Sequence, residues 1–216
     1  MDSISRAFRI RAISLAWTAL ALGGCASITS QPSPPVPPAI MNAADQGNPL
    51  AEYEVGHAMF IQATSASSRA KGLAWIQAAA HQNLAMADDF LGYVHLRGEG
   101  VPQNTDVALL WIRRAATYGA PAAQLELGRL YEMGNVISTN DARAYFWFSV
   151  AAKPVHSSVT ILNIDQVRAY ATGQLAHLSP ALTPTQRAAI DRQVVAWEPK
   201  RGPRYNGTID LSNLGG

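Results

Sequence analysis

Three tryptophans recur at one fixed interval: Trp75, Trp111 and Trp147 each stand 36 residues from the next. A period of that length marks a chain built from stacked supersecondary units, each too small to bury its apolar face alone. The register extends well beyond the tryptophans. Gly56, Gly92 and Gly128 share it, as do Ala51, Ala87 and Ala123 and the Ala-Ala pairs at 79/80, 115/116 and 151/152. Val55, Leu91 and Leu127 keep one position aliphatic, and the tryptophans are followed by Ile76, Ile112 and Phe148. No gap is needed to align the three copies.

Each copy reads as a helix pair. The first helices begin near Asn48-Pro49 and Ala120-Pro121, where Asn can cap and Pro occupies the first helical position. The second helices are expected to start at Ser68, Asn104 and Asn140, again in register, all with side chains suited to accept from a free backbone N–H. Asn83 and Gly119 stand between copies, and both residue types tolerate the left-handed conformation that ends a helix. Glycine inside a helix costs about 1 kcal/mol relative to alanine. The three in-register glycines therefore imply close helix approach, and the ladder suggests that the tryptophans wedge against them, so that Trp111→Ala would cost about 3 to 5 kcal/mol.

Leu91-Gly92-Tyr93-Val94-His95-Leu96-Arg97-Gly98-Glu99-Gly100-Val101, followed by Asp106 to Ala116, resembles a Sel1-like repeat, a relative of the tetratricopeptide repeat. Leu127 to Gly134 with Ala144 to Ala152 forms a second good copy. The first copy departs from the pattern, with Gln62 and Thr64 in place of the loop glycines Gly98 and Gly100. The resemblance spans roughly residues 48–153 and implies an all-α fold: an α-solenoid of three helix pairs. Beyond it, one helix is expected after Asn163, carrying Val167, Tyr170, Ala171, Leu175 and Leu178 on one face. A second follows Thr183-Pro184, where Thr183 and Gln186 fit a capping box. Residues 154–198 would then form the helical cap that a solenoid end requires, and residues 199–216 a flexible tail.

The N-terminus reads as an export and anchoring segment. Arg6, Arg9 and Arg11 precede an apolar run from Ala12 to Leu22, too short to span a membrane but suited to a secretory signal. Leu22-Gly23-Gly24-Cys25 resembles the lipobox of bacterial lipoproteins, which implies cleavage after residue 24 and lipid (palmitate) on Cys25, an anchor that spans nothing. Ala26 stands where that family's sorting rule would place Asp for inner-membrane retention, so the implied location is the periplasmic face of the outer membrane. Residues 25–47, with Pro32, Pro34, Pro35, Pro37 and Pro38, read as an extended tether.

Catalytic chemistry is sought and not found. Cys25 is the only cysteine, which excludes an intramolecular disulfide and a cysteine-based metal site. Ser68-Arg69-Ala70-Lys71 matches the S-x-x-K pattern, but Ser68 shares its slot with two asparagine caps, and S-D-N and K-T-G are missing. His57, His81, His95, His156 and His177 show no metal-ligand spacing. Asp88 and Asp89 read as a solvated face, and Asn206-Gly207-Thr208 as an incidental glycosylation match. The formal net charge is +2, and it resides in the N-terminal segment, which argues against a nucleic-acid partner. Neither cofactor nor metal is implied.

What remains is a surface. In tetratricopeptide relatives the first helix of each repeat lines the concave face; carried over by register, this implies Tyr53, His57, Phe60, Asp89, Tyr93, Arg97, Leu125, Arg129 and Glu132. Aromatics interleaved with both charge signs suit recognition of envelope proteins or peptides. The expected function is a non-enzymatic scaffold or adaptor in the envelope. Binding of peptidoglycan, or modulation of a cell-wall enzyme, is the alternative, and assembly of exopolysaccharide export a third reading by analogy alone.

Overall fold

The computed structural model describes residues 36–154 and 164–200, and among these all regular structure is helical. Helix α1 spans Pro38–Asp45, and three pairs follow: α2 (Pro49–Ile61) with α3 (Ala66–His81), α4 (Ala85–Arg97) with α5 (Thr105–Thr117), and α6 (Pro121–Met133) with α7 (Asp141–Ala152). Helix α8 (Ile164–Leu178) and α9 (Pro184–Ala196) both pack on α7, and α8 also reaches α6. The expected C-terminal hairpin is therefore present, with the Thr183–Gln186 capping box closed in both directions. Residues 1–24, expected to be a signal segment, and Cys25, His156 and Asn206 lie outside the described residues.

Local chemistry sets most helix boundaries. Asn48 accepts from the backbone N–H groups of Leu50 and Ala51 at 2.9 and 3.1 Å, Asn104 from Val107 at 3.0 Å, and Asn140 from Arg143 at 2.9 Å. Each satisfies donors the helix itself leaves free. The cap of α3 is Ser65, whose hydroxyl accepts from the Ser68 N–H at 3.1 Å. Ser68 was the expected cap; the helix begins one turn earlier because Ser65 carries the same chemistry and adopts extended backbone there. Asn83 takes a left-handed φ of 61° between the first two pairs, and Gly98 one of 72° as it ends α4.

The glycine ladder is a set of close helix contacts, but the tryptophans do not make them. A Cβ on Gly92 would lie 2.7 Å from Ile112 Cγ1, and one on Gly128 2.7 Å from the Phe148 ring. At Gly56 the approach is tighter still, 2.6 Å to the carbonyl oxygen of Gly72 and 2.7 Å to Ile76 Cγ1. The wedges are thus Ile76, Ile112 and Phe148, all buried. Adjacent residues on a helix point about 100° apart, so the tryptophan beside each wedge faces a neighbouring element and stays half-buried. Trp75 packs against the cluster of Ala44, Ala51 and Val55, and Trp147 meets the Trp197 ring edge-on at 6.3 Å.

A second ladder runs through the buried polar residues Glu52, Asp88 and Gln124, one per repeat in the same register. Glu52 accepts from Gln82 at 2.8 Å, and Gln124 donates to the Ala116 carbonyl at 3.2 Å. Asp88 lies 3.1 Å from Arg114 Nε. Arg114 in turn donates to the Ala80 carbonyl and to Asn83 Oδ1, closing the end of α3. Each polar side chain thus ties a first helix to a second helix or its end. Asp88, expected on a solvated face, is fully buried; burial pushes its carboxyl up to about 7 against the pull of Arg114.

Two boundaries differ from expectation. The tether assigned to residues 25–47 includes α1, whose Ala44 is buried with Ala51 and Val55. A helix start at Pro38 suits proline, since the first turn needs no N–H from it. The tail assigned from residue 199 begins with an ordered contact, because Lys200 donates its backbone N–H to the Thr117 carbonyl at 2.9 Å.

Candidate functional site

The first helices of the three repeats bring their in-register faces together around a groove of about 540 Å³. Tyr53 enters from α2; Asp89, Tyr93 and Arg97 from α4; and Arg129 from α6. Asp89, Tyr93 and Arg97 recur at one-turn spacing on one side of α4, and Tyr53 and Arg129 share the repeat register of Asp89 and Tyr93, so stacking the helices gathers them. Phe90, Leu96, Ile112, Ala122 and Glu126 complete the lining.

Two expected residues lie at the margins. His57 stacks on Tyr53 with ring centroids 5.6 Å apart, behind the groove wall. Glu132 faces the C-terminal cap, its carboxylate 3.2 Å from His177 Nδ1. Phe60 and Leu125 belong to the core: Phe60 is buried against Phe90, edge-on at 5.2 Å, and Leu125 packs into the cluster around Leu127. Phe90 and Glu126 were missed by the sequence reading. Each is adjacent in sequence or one turn away from a residue that was named, and helical spacing alone could have supplied Glu126 beside Arg129.

Tyr53, Phe90 and Tyr93 make the groove aromatic. Tyr53 and Phe90 meet edge-on at 6.4 Å, and Tyr93 stands 45% exposed at the mouth, its hydroxyl donating to Glu99 at 3.0 Å. The Arg97 guanidinium lies 5.6 Å from the Tyr93 ring centre, within cation–π range. Arg129 pairs with Glu126 at 3.4 Å. Burial, with Glu126 nearby, raises the Asp89 carboxyl to about 6. Burial raises the Tyr53 phenol to about 12, with Asp89 and Glu54 adding to the shift.

The arrangement offers large apolar faces, hydrogen-bond partners and charges, which serve recognition. No nucleophile–base pair is assembled in it. Ser68 of the S-x-x-K match is bonded to Ser65, 2.7 Å between hydroxyl oxygens. Among the described residues no group of three or more His, Cys, Asp or Glu is placed to hold a metal ion.

Residues 49–84, 85–117 and 121–153 match the family model of the Sel1 repeat. Over 85 residues the chain is 34% identical to chitin synthase regulatory factor 3 of Schizosaccharomyces pombe, covering 38% of this chain and 9% of that protein. The chain thus spans about a tenth of that relative's length. Among solved structures, c5321, a protective antigen of uropathogenic Escherichia coli strains with an SLR fold, aligns with a TM-score of 0.57 at 22% identity, over 78% of this chain and 37% of that one. A Sel1 repeat protein from Oxalobacter formigenes aligns with a TM-score of 0.47 at 26% identity, over 52% of this chain and 33% of the other.

Proposed function

Because the chain is a Sel1-repeat protein, and such repeats generally act as protein–protein interaction scaffolds, we propose that it is a non-enzymatic adaptor. On this reading its α2–α4–α6 groove binds a segment of another envelope protein. The observation that carries the reading is the convergence of Tyr53, Asp89, Tyr93, Arg97 and Arg129, from three successive repeats, on one groove. A groove assembled across repeats suits an extended ligand, because each helix adds a further row of side chains along its length. The name of the Schizosaccharomyces pombe relative, a regulatory factor, speaks for action by binding.

The proposal extends to location. The lipobox-like Leu22-Gly23-Gly24-Cys25 motivates a lipid anchor on Cys25 in the outer membrane, facing the periplasm. Labelled palmitate incorporated by the wild type and lost in Cys25→Ala tests the anchor.

The binding reading is tested by selecting peptides from a random display library on the mature chain. Enriched peptides should lose at least tenfold in affinity with Tyr93→Ala. An empty selection, together with cosedimentation of the pure protein with peptidoglycan, would move the function to direct wall binding.

A further inference from the structure

The groove treats its two charge signs differently. Both arginines are engaged within the protein: Arg97 lies over Tyr93, while Arg129 pairs with Glu126 and stands 6.0 Å from the Tyr170 ring. Asp89 has no cation within ion-pair distance and makes no side-chain hydrogen bond among the described residues. The charges that act on it are those of other acids, Glu126 raising its carboxyl and Asp88 lying beside it in sequence, and its own charge in turn helps raise the Tyr53 phenol. A half-buried carboxylate without a counter-ion is unfavourable, and it persists where a partner supplies the missing charge.

The walls around it have matching chemistry. Aromatic faces attract a cation through their quadrupole, and they also pack well against the methylene stem of a long basic side chain. Tyr53 and Phe90 flank Asp89 in this way, with Tyr93 one turn on at the mouth. A carboxylate that shares its groove with three aromatic rings thus lacks one thing, a positive charge on an apolar stalk.

We propose that the groove seats a lysine or arginine side chain from an extended segment of the partner protein, with its cation on Asp89 and its stem along Tyr53, Phe90 and Tyr93. This rests on the adaptor reading above and names the chemistry of its ligand. Arg97 keeps its ring contact with Tyr93, and its guanidinium edge, exposed at the rim, can also meet carbonyl or carboxylate groups flanking the basic residue, which fixes the direction of the bound segment.

The test uses the peptides selected on the mature chain. Their consensus should carry Lys or Arg at one position. In fluorescence anisotropy, replacing that residue by Gln should weaken binding to the wild type at least tenfold. On Asp89→Asn the same replacement should change affinity less than twofold, and thermal unfolding should show that variant folded. Selected peptides that depend on Tyr93 but carry no basic consensus, or a Lys-to-Gln loss that persists undiminished in Asp89→Asn, would overturn the cation proposal and leave the adaptor reading standing. A selection yielding no Tyr93-dependent peptide would overturn both.

Discussion

Replacing a helical glycine by alanine ordinarily stabilises a helix by about 1 kcal/mol, since alanine loses less backbone freedom on folding. Gly56→Ala should do the reverse. Its new methyl would lie 2.6 Å from the Gly72 carbonyl oxygen and 2.9 Å from the Ile76 backbone nitrogen. Backbone atoms cannot turn away as a side chain can, so α2 and α3 must separate. Overpacking of this kind costs about 1 to 3 kcal/mol. With the upper part of that range set against the propensity gain, the net loss is about 2 kcal/mol. Gly92→Ala and Gly128→Ala meet mainly side-chain atoms, Ile112 Cγ1 and the Phe148 ring, which can yield, so their net loss is about 0 to 1 kcal/mol. The internal control is Gly173 within α8, where a Cβ would meet nothing within 4 Å; alanine there should stabilise by about 0.5 to 1 kcal/mol. Between Gly56→Ala and Gly173→Ala the spread is about 3 kcal/mol, or roughly 6 to 12 °C in Tm for a domain of this size. Urea titrations followed by far-ultraviolet circular dichroism measure it. A Gly56→Ala variant as stable as the wild type would refute the close-contact account, and so would a Gly173→Ala variant as damaged as Gly56→Ala.

The other predictions address caps, wedges and charge. Ser65→Ala should cost about 1 kcal/mol and Ser68→Ala under about 0.5 kcal/mol, with Asn104→Ala matching the former; equal losses at Ser65 and Ser68 would restore the later helix start. Phe148→Ala should cost about 3 to 5 kcal/mol and Trp111→Ala distinctly less, because Phe148 is fully buried and Trp111 is not; chemical denaturation of the pair settles the order. Asp89 holds its proton up to about 6 in the folded chain against a reference of 3.8, so its favourable contribution is complete below pH 3.8 and is lost as pH rises through about 6. Asp89→Asn should therefore gain on the wild type between pH 4 and 8, on the order of 1 to 3 kcal/mol; denaturation midpoints across that range check it, and a constant difference would disprove it.

The period, the helix pairs and the terminal hairpin were legible because repetition multiplies weak signals: one Leu-Gly pair says little, but Val55-Gly56, Leu91-Gly92 and Leu127-Gly128 in one register fix a packing face. Most of the groove was legible for the same reason, since Tyr53, Asp89, Tyr93, Arg97 and Arg129 follow from helical spacing once the register is known. What escaped was which of two neighbours faces inward. Trp111 and Ile112 are both large and apolar, and only the approach of α4 to α5 at Gly92 shows that the isoleucine takes the contact. Asp88 and Asp89 pose the same problem with charge, one sealed against Arg114 and the other turned to the groove. Helix α1 escaped because its prolines pointed to an extended chain, whereas Pro38 serves as a helix start.

The contact between Lys200 and Thr117 alters how this array should come apart. In an ideal linear array each unit touches only its immediate neighbours, so an end can fray without disturbing the middle. Here the stretch after α9 returns to the turn between the second and third repeats, where Pro199 lies against Gly119, while Lys153 donates to the Val194 and Trp197 carbonyls at 2.9 and 3.1 Å. That closes a long loop around the third repeat and the hairpin, so opening either one requires breaking contacts with the other. Hydrogen exchange in α6, α7 and α9 should then report one shared opening event, with α6 no slower to exchange than the last helix of the chain.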